Sequence, residues 1–150
     1  MTVIEQLLVT LQRESDFLLA LATVDADGRP RVRTMKGIID KQLIIRCPTF
    51  ASTEKVRQIQ DCANVSITCG DTDSSQPGSY FQISAKATIS QSQDDRMAAW
   101  TARMEKWFNS PDDANYAVVR IQPIRIRMFP IGGGPAGDVW TADKDSSKGA

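Results

Sequence analysis

The sequence contains no histidine, the side chain that most often acts as a general base near neutral pH and as a metal ligand. This absence excludes nucleophilic sites of the Ser-His-Asp and Cys-His types, the common zinc spacings and haem ligation by histidine. An enzyme of this composition must depend on lysine, tyrosine, carboxylates or a bound cofactor for its chemistry.

Cysteine, net charge and long apolar runs are also scarce. The three cysteines are odd in number and lack CxxC spacing, which favours reduced thiols in a cytosol over a disulfide framework or a metal site. The 18 basic residues balance 18 acidic ones, which argues against a general nucleic-acid binder. No apolar run reaches the roughly 20 residues of a membrane helix, and the N-terminus shows no signal-peptide cleavage site. We therefore expect a cytoplasmic protein with no membrane and no nucleic-acid partner.

The sequence does contain short apolar segments separated by turn signals, in a chain of 150 residues that can bury one core. Six or seven strands with three helices indicate a mostly β (α+β) fold, an antiparallel barrel or strongly curved sheet with peripheral helices. The predicted elements are helices at 3–13, 53–61 and 94–108, a hairpin at 17–39, a second hairpin at 37–47 turning at Asp40–Lys41, strands at 63–70 and 79–91, and one or two strands at 114–130 interrupted by Pro123.

Three segments are predicted to lie outside these elements. The polar stretch DTDSSQPG at 71–78 is expected to be a mobile loop, and GGGP at 132–135 a turn. Residues 141–150 have the composition of a disordered tail.

Positive charge is concentrated in the stretch GRPRVRTMK, where Arg29, Arg31 and Arg33 follow one another at two-residue spacing. Side chains at this spacing lie on one face of a strand. Both an exposed strand face and a binding site for an anion fit this pattern.

A second basic feature lies at the start of the second predicted helix, in FASTEKVRQI. With Ser52 as the N-cap, Lys55 falls at the third helical position, where a cation opposes the helix dipole. Either Glu54 compensates and the lysine is solvated, or a bound phosphate collects the helix N–H groups, the Ser52 and Thr53 hydroxyls and the Lys55 ammonium. Arg33 would complete such a site, so the two features together favour a ligand that carries a phosphate.

Three segments in this order and spacing, LATVDADGRPRVRTMKG, STEKVRQIQDCANVSI and YFQISAKATI, resemble FMN-binding split-barrel proteins of the pyridoxamine 5'-phosphate oxidase-like superfamily. The similarity runs from about residue 5 to residue 130 and is greatest to the general stress protein 26-like branch. It implies a single FMN-binding split-barrel domain at 1–140, followed by the tail. It also implies a homodimer with FMN at the subunit interface.

The resemblance further implies which residues contact FMN. Arg33 of the second strand would bind the phosphate, while Arg29 and Arg31 are left to solvent or substrate. The implied cofactor-binding residues are Arg33, Thr34, Met35, Lys36, Pro48, Thr49, Ser52, Thr53 and Lys55.

The chain departs from the family pattern in three places. The family often carries an aromatic near the flavin in a late strand, and this sequence offers Phe129 there, with Trp140 as a more distant substitute. Ala85 stands where a glycine is common. The histidine and arginine pair that binds the substrate phosphate in true pyridoxamine phosphate oxidases is not recognisable, which argues against that substrate.

The expected function is that of an FMN-dependent oxidoreductase that accepts electrons from a reduced nicotinamide and acts on an unidentified small molecule. The alternatives are a flavin-binding stress protein without turnover of its own, and a split-barrel protein that binds the deazaflavin F420 or haem. No residue is identified as catalytic.

A few further side chains are candidates for lining the cleft or for packing. Lys36, Tyr80 and Gln82 are candidates for the cleft, and Cys47 either touches the flavin or is simply buried. The two tryptophans of the third predicted helix, Trp100 and Trp107, are expected in the core or in a dimer interface.

Overall fold

The structure, a computed structural model, describes residues 1–142. Its elements are α1 (Val3–Leu11), β1 (Phe17–Val24), β2 (Pro30–Ile39), β3 (Ile45–Phe50), α2 (Glu54–Asp61), β4 (Asn64–Gly70), β5 (Ser79–Ser90), α3 (Gln93–Ala99), a 3-10 helix (Ala102–Lys106), β6 (Tyr116–Pro130) and β7 (Val139–Thr141). Within the described residues, no helix combines the length and the apolar character needed to cross a membrane.

The strands form one antiparallel sheet in the order β3-β2-β1-β4-β5-β6-β7. An additional pairing between β3 and β6 closes β1 to β6 into a six-stranded barrel, and β7 extends β6 outside it. The prediction of an antiparallel barrel with six or seven strands and peripheral helices is therefore confirmed.

Alternation along the strands places the core inside this barrel. In β1, for example, Phe17, Leu19 and Leu21 are buried while Leu18 on the opposite face is 54% exposed. Helix α1 covers one end of the barrel, because its buried residues Val3, Leu7 and Leu11 belong to the same apolar cluster.

The segment at 114–130 is a single strand, β6, despite its proline. The register with β5 shifts between Ser84 and Ala85, which pair with Arg125 and Pro123 and leave Ile124 as an extra residue. A bulge of this kind tolerates a proline, because the ladder is interrupted there and no N–H is required.

The barrel is open between β2 and β3. These strands share only two register pairs, Ile38 with Arg46 and Ile39 with Ile45, whereas β2 pairs with β1 along eight residues. Beyond Ile38 the two strands diverge, so the residues preceding it in β2 have no neighbour on that side. The candidate functional site described below lies in this opening.

The helix predicted at 94–108 is not continuous, and that prediction is wrong. Helix α3 ends at Ala99, and the extended backbone of Trp100 and Thr101 separates it from the 3-10 helix. The Arg96 carbonyl accepts a hydrogen bond of 2.7 Å from the Tyr116 hydroxyl, while the Trp100 N–H bonds to Met97. A contact with β6 therefore replaces the hydrogen bond that would have continued the helix.

The predicted connections are partly confirmed. Segment 71–78 does connect β4 to β5, and its predicted mobility stays a prediction. The GGGP segment forms a turn between β6 and β7, with positive φ at Gly133 and Gly134. In the predicted tail, Thr141 is the last residue of β7, and residues 143–150 lie outside the described part of the chain.

Candidate functional site

The opening between β2 and β3 is a cleft of about 370 Å³. Its walls come from β2, from the end of β3, from the start of α2 and from the segment around the 3-10 helix. The lining residues are Leu18, Arg33, Thr34, Met35, Lys36, Pro48, Thr49, Phe50, Lys55, Arg103, Met104, Trp107 and Phe108. Four of these residues are cationic and none is acidic, so the cleft has the charge expected of an anion site.

The divergence of the strands leaves backbone groups free to bind a ligand. Because β2 has no neighbour beyond Ile38 on this side, alternate N–H and C=O groups between Arg33 and Lys36 face the cleft. On the opposite edge Pro48 has no N–H to offer. The hydrogen-bonding edge of the cleft is therefore β2.

Arg33 faces the mouth of the barrel and is fixed by neutral acceptors. Its guanidinium donates to the Thr23 hydroxyl at 2.6 Å and to the Gln58 side-chain oxygen at 3.0 Å, and the Thr23 hydroxyl donates in turn to Gln58. Burial lowers the pKa of Arg33, the charge of Arg31 lowers it further, and Glu54 opposes both effects.

Lys55 lies beside it at the start of α2. Its ammonium donates to the Thr49 hydroxyl at 3.0 Å and to the Thr53 hydroxyl at 3.4 Å. Burial lowers the pKa of Lys55, and the positive charge of Arg33 lowers it further. Among the described residues, neither cation has a carboxylate oxygen within 4.0 Å.

The N-cap of α2 is Thr53, so the prediction of Ser52 at this position is wrong by one residue. Lys55 is accordingly the second helical residue. The Thr53 hydroxyl donates to the Phe50 carbonyl at 3.1 Å instead of accepting from a helix N–H, which leaves the first turn without a side-chain cap. Ser52 is exposed and does not belong to the lining of the cleft.

An aromatic wall, formed by Phe50, Trp107 and Phe108, stands opposite β2. The Phe50 ring meets Trp107 edge-on at 6.4 Å and Phe108 at 4.9 Å between centroids. Phe108 is buried, but Trp107 is 58% exposed and Phe50 41%. Sequence reasoning missed this wall, because a continuous helix would have placed Trp107 in an apolar face.

The end of the cleft near Lys36 has a second group of charges. Asp16 accepts from Arg103 at 2.6 Å and lies 4.0 Å from the Lys36 ammonium. One carboxylate thus faces two cations. This end of the cleft therefore carries a net positive charge, as does the end near Arg33 and Lys55.

Two of the three arginines in the stripe are placed outside the cleft. Arg31 pairs with Asp25 at 2.9 Å, and Arg29 is exposed. Only Arg33 turns into the opening, where its strand neighbours Thr34, Met35 and Lys36 also line the wall.

The remaining candidates lie elsewhere. Phe129 stacks on Tyr80 with 5.2 Å between ring centroids, and Trp140 packs on the barrel core from β7. Tyr80 lines a different cleft, and Gln82 lines neither. Cys47 is fully buried, and burial raises its pKa to about 12, so it remains a protonated thiol inside the barrel.

The model of the pyridoxamine 5'-phosphate oxidase family matches residues 9–129. The chain belongs to this family. The resemblance seen in its strand and helix motifs is thereby confirmed, including its relation to the general stress protein 26 branch, since general stress protein 26 of Bacillus subtilis (strain 168) is 33% identical over 113 residues. That alignment covers 75% of this chain and 79% of the Bacillus protein.

Solved structures show the same fold. A general stress protein 26 from Bacillus anthracis str. Sterne superposes with a TM-score of 0.75 and 19% identity, covering 94% of this chain and 99% of its own. A pyridoxamine 5'-phosphate oxidase-related, FMN-binding protein from Nostoc punctiforme superposes with a TM-score of 0.65 and 20% identity, covering 79% and 77%. The barrel opened between β2 and β3 is therefore the split barrel of this family.

Proposed function

We propose that the protein is an FMN-binding flavoprotein that acts as an oxidoreductase on a small molecule. The observation that carries the proposal is the pair of half-buried cations, Arg33 and Lys55, whose pKa values are lowered and which lack a carboxylate partner among the described residues. Two like charges held together in this way favour an anionic ligand.

A phosphate fits this environment. It carries a charge of roughly −1.5 to −2 near pH 7 and three acceptor oxygens. Arg33 and Lys55 offer charge-assisted donors, the Thr49 hydroxyl accepts from Lys55 and the uncapped turn of α2 adds N–H groups. The proposed role of Arg33, Thr49 and Lys55 is to hold the phosphate of FMN, while Thr53 accepts from the Lys55 ammonium and orients it.

The rest of the cleft suits the flavin ring. The free edge of β2 from Thr34 to Lys36 offers backbone groups to its polar edge, and Pro48 with the aromatic wall covers its apolar part. When bound, FMN supplies transfer of electrons or hydride. The residues of this chain bind and orient the ring, exclude water from it and surround it with positive charge.

The proposal includes the oligomeric state of the protein, a homodimer. The cleft is open to solvent on one side, and the aromatic residues Trp107 and Phe50 at its rim remain exposed. In a homodimer with FMN at the subunit interface, a second copy would cover this side. Reduced nicotinamide is the proposed electron donor; flavin binding without turnover is the alternative.

The experiment compares the affinities of FMN and riboflavin, which differ only in the phosphate, by titration of flavin fluorescence. We expect FMN to bind at least about tenfold more tightly, because charge-assisted hydrogen bonds are worth about 1.5–3 kcal/mol each. Lys55→Gln keeps a donor for Thr49 but loses the charge, and it should reduce the ratio by about tenfold.

Lys41→Gln is the matched control, since Lys41 is exposed in the β2–β3 turn and does not belong to the cleft lining. It should leave the FMN-to-riboflavin ratio unchanged. Equal affinity for the two flavins in the unmodified protein would contradict the phosphate site. No binding of either flavin would overturn the proposed function.

A further inference from the structure

A second cleft of about 400 Å³ adjoins the first on the outer face of the barrel. The two clefts share Leu18 and Thr34 in their linings, so these two side chains form the ridge between them. From this ridge the second cleft runs across β1 and β4 to Tyr80 at the start of β5.

Small residues create this hollow. In the sheet, Thr34 pairs with Ala20, Ala20 with Thr68, and Gly70 with Tyr80, so a methyl group and a glycine lie between larger neighbours. Gly70 has a φ of +113°, and an added Cβ would lie 2.8 Å from the Ser79 carbonyl oxygen. The backbone therefore requires glycine at the floor of the cleft.

The second cleft lacks the positive charge of the first, and its one carboxylate is paired with an arginine. Its lining contains no lysine or arginine, and its one ionised side chain is Asp71. One Asp71 oxygen accepts from Arg13 at 2.8 Å and the other from the Ser79 N–H at 3.0 Å, which fixes the carboxylate at the edge. The rest of the surface is formed by aliphatic side chains, threonine hydroxyls and the Tyr80 ring.

We propose that the second cleft binds an uncharged, mainly apolar small molecule. An apolar floor favours a ligand with little polar surface, and a lining without lysine or arginine offers an anion no counter-charge. Because only Leu18 and Thr34 separate the clefts, this ligand is the substrate that meets the cofactor, a role that rests on the proposed function. Anionic, phosphorylated substrates would lose their hydration in the second cleft without gaining a cationic partner there.

The test uses two probes that differ in one group. N-phenyl-1-naphthylamine is neutral, and 8-anilinonaphthalene-1-sulfonate is the same molecule with a sulfonate. Equilibrium dialysis of the full chain, with and without excess FMN, measures the affinity of each. We expect the neutral probe to bind in both conditions. The sulfonate should bind only in the cationic first cleft, so excess FMN should displace it.

Variants locate the neutral probe. Thr68→Trp fills the second cleft from its β4 wall and should weaken the probe at least about tenfold, equivalent to about 1.4 kcal/mol. Ser66→Trp introduces the same side chain two residues away on the same exposed face, outside the lining, and should leave the affinity unchanged. Equal effects of the two variants would overturn the assignment.

A charge variant tests the polarity without filling the cleft. Thr72→Lys adds a cation in the exposed loop at its edge and should allow the sulfonate to bind even with excess FMN. Failure of the sulfonate to bind this variant would show that the missing counter-charge is not what keeps anions out of the cleft. A neutral probe whose affinity falls as protein concentration rises would overturn the proposal, because a second copy of the chain would then cover the cleft.

Quenching of the bound naphthylamine by FMN, whose absorption overlaps its emission, tests whether the two ligands are neighbours. Strong quenching supports the substrate role, and undiminished emission overturns it. Binding of the neutral probe to a protein that takes up no flavin would refute the proposed function while leaving the second cleft as a binding site.

Discussion

Arg33 and Lys55 carry the clearest signature of a ligand, because they combine positive charge, partial burial and neutral hydrogen-bond partners. An isolated lysine on a surface is solvated by water and keeps its ordinary pKa. Here burial lowers the pKa of both residues; the charge of Arg31 lowers that of Arg33 further, and the charge of Arg33 lowers that of Lys55 further. The cleft is thus electrostatically prepared for an anion.

This arrangement predicts a gain of stability when one charge is removed. The folded pKa of Lys55 is below its unfolded value, so the charged lysine disfavours folding at all pH values below the folded pKa. That effect disappears only as the pH rises above the unfolded pKa. At neutral pH, Lys55→Gln should therefore raise the melting temperature of the flavin-free protein, by up to about 2 °C.

Thermal unfolding followed by circular dichroism checks this prediction, with Lys41→Gln as the control. Added FMN should then stabilise the unmodified protein more than Lys55→Gln. A lower melting temperature for flavin-free Lys55→Gln would show that the hydrogen bond to Thr49 outweighs the repulsion.

Trp107 is the second residue whose environment predicts a role. It is 58% exposed and lines the cleft, whereas Trp100 packs on the buried Tyr116 with 5.4 Å between ring centroids. We expect FMN to quench the fluorescence of Trp107 most strongly. Trp107→Phe should therefore lose most of the flavin-induced quenching, and Trp100→Phe should retain it.

The same two variants distinguish an effect on flavin binding from an effect on stability. Because Trp107 is largely exposed, Trp107→Phe should change the free energy of unfolding by less than about 0.5 kcal/mol. Quenching that disappears in Trp100→Phe instead would place the flavin away from the aromatic wall.

At the scale of elements, α3 is attached to the barrel by a network of charges around Asp95. Arg46 of β3 donates to Asp95 at 2.7 Å and to Asp40 at 2.6 Å, and the Ser90 hydroxyl donates to Asp95 at 2.5 Å. Ser92, the N-cap of α3, adds a further donor. This network orients α3, and with it the 3-10 helix that leads directly into Trp107 and Phe108 of the aromatic wall.

The network predicts a loss of stability in acid. Burial by itself would raise the pKa of Asp95, but the hydrogen bonds from Ser90, Arg46 and Ser92 outweigh it, so the folded pKa is below the ordinary value. Its stabilisation is therefore present above the unfolded pKa and is lost as the pH falls from about 4 through the folded pKa.

Urea unfolding between pH 2.5 and pH 7 measures this loss. Asp95→Asn should lower the free energy of unfolding at pH 7 by about 3 kcal/mol, and stability should then depend less on pH below about 4. The neighbouring Asp94, which is exposed, is the control: Asp94→Asn should change neither quantity by more than about 0.5 kcal/mol. If the free energy of unfolding fell with pH in the same way for Asp95→Asn and the unmodified protein, Asp95 would not be the group responsible for the loss of stability in acid.

At the scale of the whole molecule, the closed barrel leaves apolar side chains on its outer surface. Val32 is 68% exposed on the outer face of β2, beside Ala22 of β1, and it lines neither cleft. An exposed β-branched residue in the strand that supplies Arg33 fits an interface with a second copy of the chain.

Sedimentation velocity tests the proposed homodimer. Val32→Asp should weaken it at least about tenfold, because a charge would be buried in the contact. Val139→Asp places the same charge at another exposed valine, on β7, and should leave the assembly unchanged. A monomer at all concentrations would refute the homodimer, whereas a dimer that Val32→Asp leaves intact would place its interface on another face.

Much of the barrel was predictable from sequence because its strands alternate clearly and their turns have strong signals. The bounds of β1 agree with the apolar run at 17–24, and both hairpins are present. The concentration of positive charge that the proposed phosphate site needs was also visible, because a cation at the N-terminus of a helix is a local feature of the sequence. The N-cap was misplaced by one residue, since Ser52 and Thr53 are chemically almost equivalent in that position.

The amino-acid sequence by itself determined the strand order along the chain, the family and the concentration of positive charge around Arg33 and Lys55. Only the tertiary structure decided where β2 and β3 separate, which arginine of the stripe turns into the cleft and which aromatics line it. The reason is that strand pairing, the end of α3 at Ala99 and the exposure of Trp107 depend on contacts between residues far apart in sequence. Local patterns contain no record of such contacts.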